Sequence, residues 1–202
     1  MSENKKFLIG FDEAGRGPLA GPVCAAAVIL PFDFPFEILN DSKKLSEKKR
    51  KIAEVVIKDK ACYGISFVDH RVIDKINILQ ASLLAMKNAC DKLLETFPVW
   101  YEKNFKSKCR FSECLFEGIA DGNFSPNVQF LCKCEPKADG KYFEVMAASI
   151  LAKTSRDDFM LKMDKLYPDY GYAKHKGYPT KEHKENCKKY GASPIQRLTF
   201  KY

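Results

Sequence analysis

Two apolar runs separated by an acidic, glycine-rich turn set the terms for this chain. Phe7-Leu8-Ile9-Gly10-Phe11 and Val23-Cys24-Ala25-Ala26-Ala27-Val28-Ile29-Leu30 are short and continuous, the pattern of strands buried on both faces. Between them runs Asp12-Glu13-Ala14-Gly15-Arg16-Gly17-Pro18-Leu19-Ala20-Gly21-Pro22. Carboxylates at the end of a buried strand are costly unless paired, solvated or bound to a cation. Ideal strand geometry also sends neighbouring Asp12 and Glu13 to opposite faces. Metal coordination would resolve that conflict. Gly15 and Gly17 allow backbone angles closed to other residues and a close approach to a ligand, and Arg16 adds a fork suited to phosphate. A charged hairpin turn built from common turn residues is the alternative.

With 202 residues, the chain is long enough for one well-buried domain and a terminal extension. No export signal or membrane span is read at the N-terminus, so a cytoplasmic protein with reduced thiols is expected despite eight cysteines. Cys109, Cys114, Cys132 and Cys134 miss the usual zinc spacing. The net charge of +8 is concentrated. Residues 43 to 51 carry six basic and one acidic side chain, and residues 174 to 189 carry six and two, so the remainder nets −1. Such a layout beside carboxylates suits a polyanion held while metal ions act on it; two solvated helical faces are the plainer reading.

A helix is expected from Ser46, a third strand over Ala61 to Val68, and a core-packing helix from about Asn77 to Glu95. Asn77 and Gln80 near its start suit capping better than phosphate binding. Residues 98 to 113 read as a connection outside the regular fold. Cys114 to Ala120 forms a strand that ends in Asp121-Gly122, an arrangement that repeats the first acid-bearing strand end or makes an Asx turn. Val128 to Cys132 is read as a fifth strand and Phe143 to Leu166 as a long helix carrying Asp157. Pro168 stops that helix. Residues 169 to 202, rich in Tyr, Lys, Gly and Pro with a short helix near Lys181 to Lys189, read as an extension over a core of residues 1 to 168. Strands followed by alternating helices and strands give an α/β fold with a mixed sheet flanked by helices.

Five stretches, in order, resemble the type 2 ribonuclease H family, ribonuclease HII. They are Asp12-Glu13-Ala14-Gly15-Arg16-Gly17-Pro18, Leu39-Asn40-Asp41-Ser42-Lys43-Lys44-Leu45-Ser46, Ile76-Asn77-Ile78-Leu79-Gln80, Ala147-Ala148-Ser149-Ile150-Leu151-Ala152-Lys153 with Arg156-Asp157, and His175-Lys176-Gly177-Tyr178. The resemblance implies the ribonuclease H-like fold and a metal-dependent endoribonuclease. Its substrates would be RNA in RNA/DNA hybrids and ribonucleotides embedded in duplex DNA, cut on the 5′ side to leave 3′-hydroxyl and 5′-phosphate ends. It places the four catalytic acids, ligands for two Mg²⁺ or Mn²⁺ ions, on Asp12, Glu13, Asp121 and Asp157. Asp158 is excluded because helix neighbours differ by about 100° and the Arg-Asp pairing selects Asp157. The resemblance also makes Gly15, Arg16, Gly17 and Tyr178 the readers of a 2′-hydroxyl, the group that separates RNA from DNA. Asn40, Ser42, Lys43, Lys153, Lys176 and His183 become contacts to the nucleic-acid backbone.

Ala138 where glycine is usual, Gln196 where histidine often precedes the arginine, and the extra residues 100 to 113 depart from the family pattern. A non-catalytic nucleic-acid-binding module and a hybrid nuclease without junction specificity are the rival readings. Gln196-Arg197-Leu198-Thr199-Phe200 resembles short peptides that bind sliding clamps, provided that Leu198 and Phe200 are free of their own core. A monomer is expected.

Overall fold

The computed structural model describes residues 5 to 40 and 45 to 201. Strands β1 (Lys5–Ala14), β2 (Val23–Ile29), β3 (Cys62–Val68), β4 (Cys114–Asp121) and β5 (Cys132–Glu135) form one mixed sheet. Their spatial order is β3-β2-β1-β4-β5. β1 pairs antiparallel with β2 and parallel with β4, and Phe11 lies opposite Ala120. That register makes Asp12 and Asp121 neighbours at the same end of the sheet.

Helices cover both faces, which is why the two opening runs are continuously apolar. Val23, Ala25, Ala27 and Ile29 of β2 face one core with α2 (His70–Phe105); Ala26 and Val28 face the other with α1 (Glu47–Lys60) and α3 (Phe143–Leu166). Ser46 caps α1, accepting from the Lys49 amide at 3.3 Å. Two glycines let the helices touch the sheet backbone. A Cβ on Gly64 would lie 2.0 Å from the Ala89 carbonyl oxygen in α2, and one on Gly10 would lie 2.2 Å from the carbonyl carbon of Glu144 in α3.

α2 is longer than its apolar period suggests. It starts at His70, capped by Asp69, turns at non-helical Asn77 (φ 65°, ψ 167°) and runs through Pro98 to Phe105. Asn77 Oδ1 accepts from the Gln80 amide at 3.1 Å, so this residue caps the second segment. Proline inside a helix removes one backbone hydrogen bond, but packing outweighs it here. Phe97, Trp100, Tyr101 and Phe105 surround Phe7 with ring centroids 5.0–6.3 Å away. Residues 98 to 105 therefore belong to the core helix rather than to an outlying connection. The fifth strand is Cys132–Glu135, later than expected, because Val128 and Phe130 turn inward onto the first core.

After α3 come α4 (Tyr172–His175) and α5 (Lys181–Tyr190). Tyr170, Tyr172, Cys187 and Ile195 make a small core with Ala20 and Met160, and Ala20 bridges to Gln196. This segment thus closes over the loop that follows β1. All eight cysteines are free thiols, and burial pushes Cys24 and Cys132 up to about 12. Among the described residues, no helix is long and apolar enough to cross a membrane.

The clamp-like peptide is built into this closure. Gln196 is 3% exposed and Phe200 packs on the first core with the Arg197 guanidinium 5.0 Å from its ring centre, whereas Leu198 is 76% exposed. Phe200→Ala is therefore expected to lower Tm measurably, by less than the roughly 3–5 kcal/mol of a fully buried ring. Unchanged thermal melting would show that Phe200 is free of the fold.

Candidate active site

β1 delivers Asp12, β4 delivers Asp121, and the turn Ala138–Gly140 ahead of α3 delivers Asp139. Carboxylate oxygens of these three residues all lie within 4.8 Å of one another. Asp12 is 5% exposed; its Oδ1 accepts from the Glu13 amide at 2.7 Å, and Ser149 of α3 hydrogen-bonds its carboxyl group. The Ala138 amide donates to Asp121 Oδ1 at 2.8 Å, which ties the turn to the strand end. Glu13 pairs with Arg16 at 3.2 Å.

Burial, followed by the charges of Glu13 and Asp121, holds the Asp12 carboxyl well above the usual carboxylate range, against the pull of Ser149. Burial also raises Glu13, with Arg16 opposing it. Asp12 and Glu13 thus resist ionisation because the positive charge beside them does not offset their burial. Oxygen-only donors at this spacing, Asp12 and Asp139 buried and Asp121 half-buried, fit a hard divalent cation such as Mg²⁺ or Mn²⁺.

A cavity of about 250 Å³ opens at this end of the sheet. Glu13, Gly15, Arg16, Gly17, Lys153 and Tyr178 line it together with Asp12 and Asp121. Gly15 adopts φ +103°, which lets the chain leave β1 sharply. Asp12 and Glu13 therefore share one cavity although they alternate along the strand. Tyr178, 42% exposed, faces Gly17, where an added Cβ would come within 3.6 Å of the ring.

Asp157 does not join the acids. Along α3, Ser149 reaches Asp12, Lys153 lines the cavity one turn later, and Asp157 lies a further turn away, about 12 Å of helix rise from Ser149. It accepts from Lys153 Nζ at 2.8 Å instead. Asp158 pairs with Lys51 at 2.6 Å. The acid that accompanies Asp12 and Asp121 is Asp139, beside the unusual Ala138. Its signal was an acidic turn directly before the long helix, a repeat of the acid-at-an-element-end pattern.

His183 is also misplaced by the sequence reading. It is wholly buried, stacked on His175 at 4.4 Å with Nδ1 3.0 Å from the Tyr178 carbonyl oxygen, so it supports the tyrosine's turn and meets no solvent. Lys176 Nζ donates to the Ala173 carbonyl. Asn40 is exposed in a separate cavity with Leu45 and Lys49. Ser42 and Lys43 lie outside the described residues. Arg156, read from the sequence only as the residue paired with Asp157, and Arg197, read only as part of the clamp-like peptide, are buried behind the loop.

The family profile described as Ribonuclease HII matches residues 9–202. The chain belongs to the ribonuclease HII family. It is 50% identical over 201 residues to Ribonuclease HII of Treponema denticola, covering 96% of this chain and 98% of that one. The ribonuclease H2 structure from Pyrococcus horikoshii superimposes with a TM-score of 0.67 at 25% identity, covering 96% of this chain and 94% of the other. A PCNA:RNase HII complex from Archaeoglobus fulgidus gives 0.65 at 24% identity over 97% and 96%. The fold is ribonuclease H-like, and the protein is a metal-dependent endoribonuclease that cleaves the RNA strand of RNA/DNA hybrids.

Because its carboxyl proton affinity is raised, Asp12 holds its proton more tightly in the fold than in the unfolded chain. Metal-free stability therefore falls as pH rises from the ordinary carboxylate range upward. At neutral pH, Asp12→Asn is expected to raise the Tm of metal-free protein and to remove most of the stabilisation that added Mn²⁺ gives the wild type. A lower metal-free Tm would contradict the charge-strained site.

Proposed function

We propose that this ribonuclease also incises duplex DNA on the 5′ side of a single embedded ribonucleotide, leaving 3′-hydroxyl and 5′-phosphate ends, with Asp12, Glu13, Asp121 and Asp139 holding two divalent ions. The supporting observation is that Asp12, Glu13 and Asp121 line a single cavity with Gly15, Arg16, Gly17 and Tyr178, and that the Asp139 carboxylate lies within 4.8 Å of those of Asp12 and Asp121. When bound, Mg²⁺ or Mn²⁺ ions supply an activated water and neutralise charge on the scissile phosphate and leaving oxygen.

The chain's own residues do the selecting. Backbone amides of the Gly15-Arg16-Gly17 loop and the Tyr178 phenol face the same space, where they can hydrogen-bond a 2′-hydroxyl. The Tyr178 ring is exposed enough to pack against the next sugar and crowd a 2′-hydroxyl there. Lys153, oriented by Asp157, brings a cation to the phosphate. Asp157 thus serves the site through Lys153 rather than as a ligand. The extension, residues 169 to 202, contributes to substrate binding by carrying Tyr178. The basic segments 43 to 51 and 174 to 189 hold the flanking duplex. A sliding clamp would find Leu198 exposed, and docking through Gln196–Phe200 requires Gln196 and Phe200 to leave their internal contacts.

Asp139→Asn is expected to abolish hybrid cleavage, losing about 10³-fold or more in kcat, as is typical when an electrostatic element of a site is removed. Asp157→Asn should retain measurable turnover with a raised KM. Equal loss in both variants would return Asp157 to the ligand set. Cleavage mapping on a duplex with one ribonucleotide, in Mg²⁺ and in Mn²⁺, tests the substrate reading, and an uncut duplex overturns it. On that substrate Tyr178→Phe should lose more activity than on an all-RNA hybrid; equal losses would remove Tyr178 from junction reading.

A further inference from the structure

Arg156 and Arg197 are the two largest fully buried side chains, 1% and 0% exposed. Among the described residues neither forms an ion pair with a carboxylate. Their charge is met by backbone carbonyls instead. Arg197 donates to the carbonyls of Gly15 at 2.6 Å, Arg16 at 3.0 Å, Pro18 at 2.8 Å and Gly21 at 2.9 Å. Arg156 donates to those of Ala20 at 3.1 Å, Pro22 at 2.9 Å and Lys176 at 3.0 Å. Six of these seven acceptors belong to the loop after β1, and the seventh belongs to the turn that carries Tyr178.

A trans peptide directs its N–H opposite to its C=O, and no cis bond occurs among the described residues. With the Gly15 and Arg16 carbonyls turned inward onto Arg197, the amides of Arg16 and Gly17 are turned outward, toward the cavity that both residues line. Gly15 is tight against the second arginine: a Cβ there would lie 2.0 Å from Arg156 Nε. Arg156 also spans the two halves of the reader, since one guanidinium group holds Ala20 and Pro22 on one side and Lys176 on the other. The Leu19 amide adds a parallel tie to the Gly177 carbonyl at 2.8 Å.

We propose that Arg156 and Arg197 are positioning residues for ribonucleotide recognition: they gather the loop's carbonyls so that its amides face the 2′-hydroxyl, and they set the distance between those amides and Tyr178. The inference rests on the reading that the Gly15–Gly17 loop and Tyr178 recognise that hydroxyl. Lysine cannot substitute, because a single ammonium has no planar fork to hold several carbonyls at fixed angles.

Fluorescence anisotropy in EDTA, where no strand is cut, compares a duplex containing one ribonucleotide with the same sequence in all-DNA form. Below the variant's own Tm, Arg197→Lys is expected to weaken binding to the ribonucleotide duplex about tenfold, the scale of one good hydrogen bond. Affinity for the all-DNA duplex should stay at the wild-type level. Should Arg197→Lys fail to fold, Arg156→Lys carries the same expectation through its hold on Lys176. A folded variant that keeps the wild-type preference, or one that weakens on both duplexes alike, overturns the positioning role. A wild type without preference overturns the loop-and-Tyr178 reading itself, and that comparison precedes any variant.

Discussion

Parallel pairing of β1 with β4 puts Asp12 beside Asp121, and much of the surrounding architecture follows from accommodating those two carboxylates at the buried end of a sheet. A strand end covered by helices on both faces leaves little water to solvate them. The fold answers with neutral donors: among the described residues, the Glu13 amide and Ser149 hydrogen-bond Asp12, and the Ala138 amide hydrogen-bonds Asp121. Neutral donors orient the oxygens without discharging them, and the deficit of positive charge persists. The basic groups nearby pair with other acids of the cavity and its helix: Arg16 with Glu13, Lys153 with Asp157. A lysine bonded directly to Asp12 would relieve the strain and occupy the site.

The turn before α3 does two jobs because of where it lies. It brings Asp139 to the other two acids, and its backbone pins Asp121. The helix that follows then passes across β1 at Gly10, where the absence of a side chain allows contact with the sheet backbone. Small residues Ala147, Ala148 and Ala152 continue that close packing. Asp157 lies too far along this rigid element to reach back to the acids. Its bond to Lys153 becomes the way in which a distant carboxylate influences the cavity.

The sheet and α3 were legible because their signals are local. Continuous apolar runs announced strands buried on both faces, and small residues announced a helix against a sheet; Phe143–Leu166 is as expected from the sequence. The end of α2 was not legible. Pro98 is a local stop signal, overridden by an aromatic cluster whose members, from Phe7 to Phe116, are distant in sequence. Asp12 and Asp121 could be found as acids at strand ends. Asp139 could not be separated from Asp157 by residue type, because the distinction is how far along α3 each one lies. His183 read as a contact to the nucleic-acid backbone, yet its capped helix turns it inward onto His175, a fact of three-dimensional packing alone.

The loop between β1 and β2 shows the same division between what is written locally and what is supplied from afar. Its glycines announce an unusual backbone path, and φ values of +103° at Gly15 and +84° at Gly21 bear that out. Glycine confers freedom, however, not shape: a chain able to adopt such angles is able to adopt many others. Shape comes from Arg156 and Arg197, contributed by α3 and by the C-terminal segment. A buried cation is costly unless fully hydrogen-bonded, so each guanidinium group is stable only when the carbonyls converge on it, and the loop in turn is fixed only when both arginines are in place. Burial pushes both guanidinium groups down from their usual range, and for Arg197 the neighbouring Arg156 adds to the shift. Two like charges are thus held close behind the loop, chiefly by backbone carbonyls, with the Phe200 ring against Arg197. The extension is therefore part of the loop's definition: without the Arg197 it supplies, the turn that follows Asp12 and Glu13 would keep its flexibility and lose its geometry.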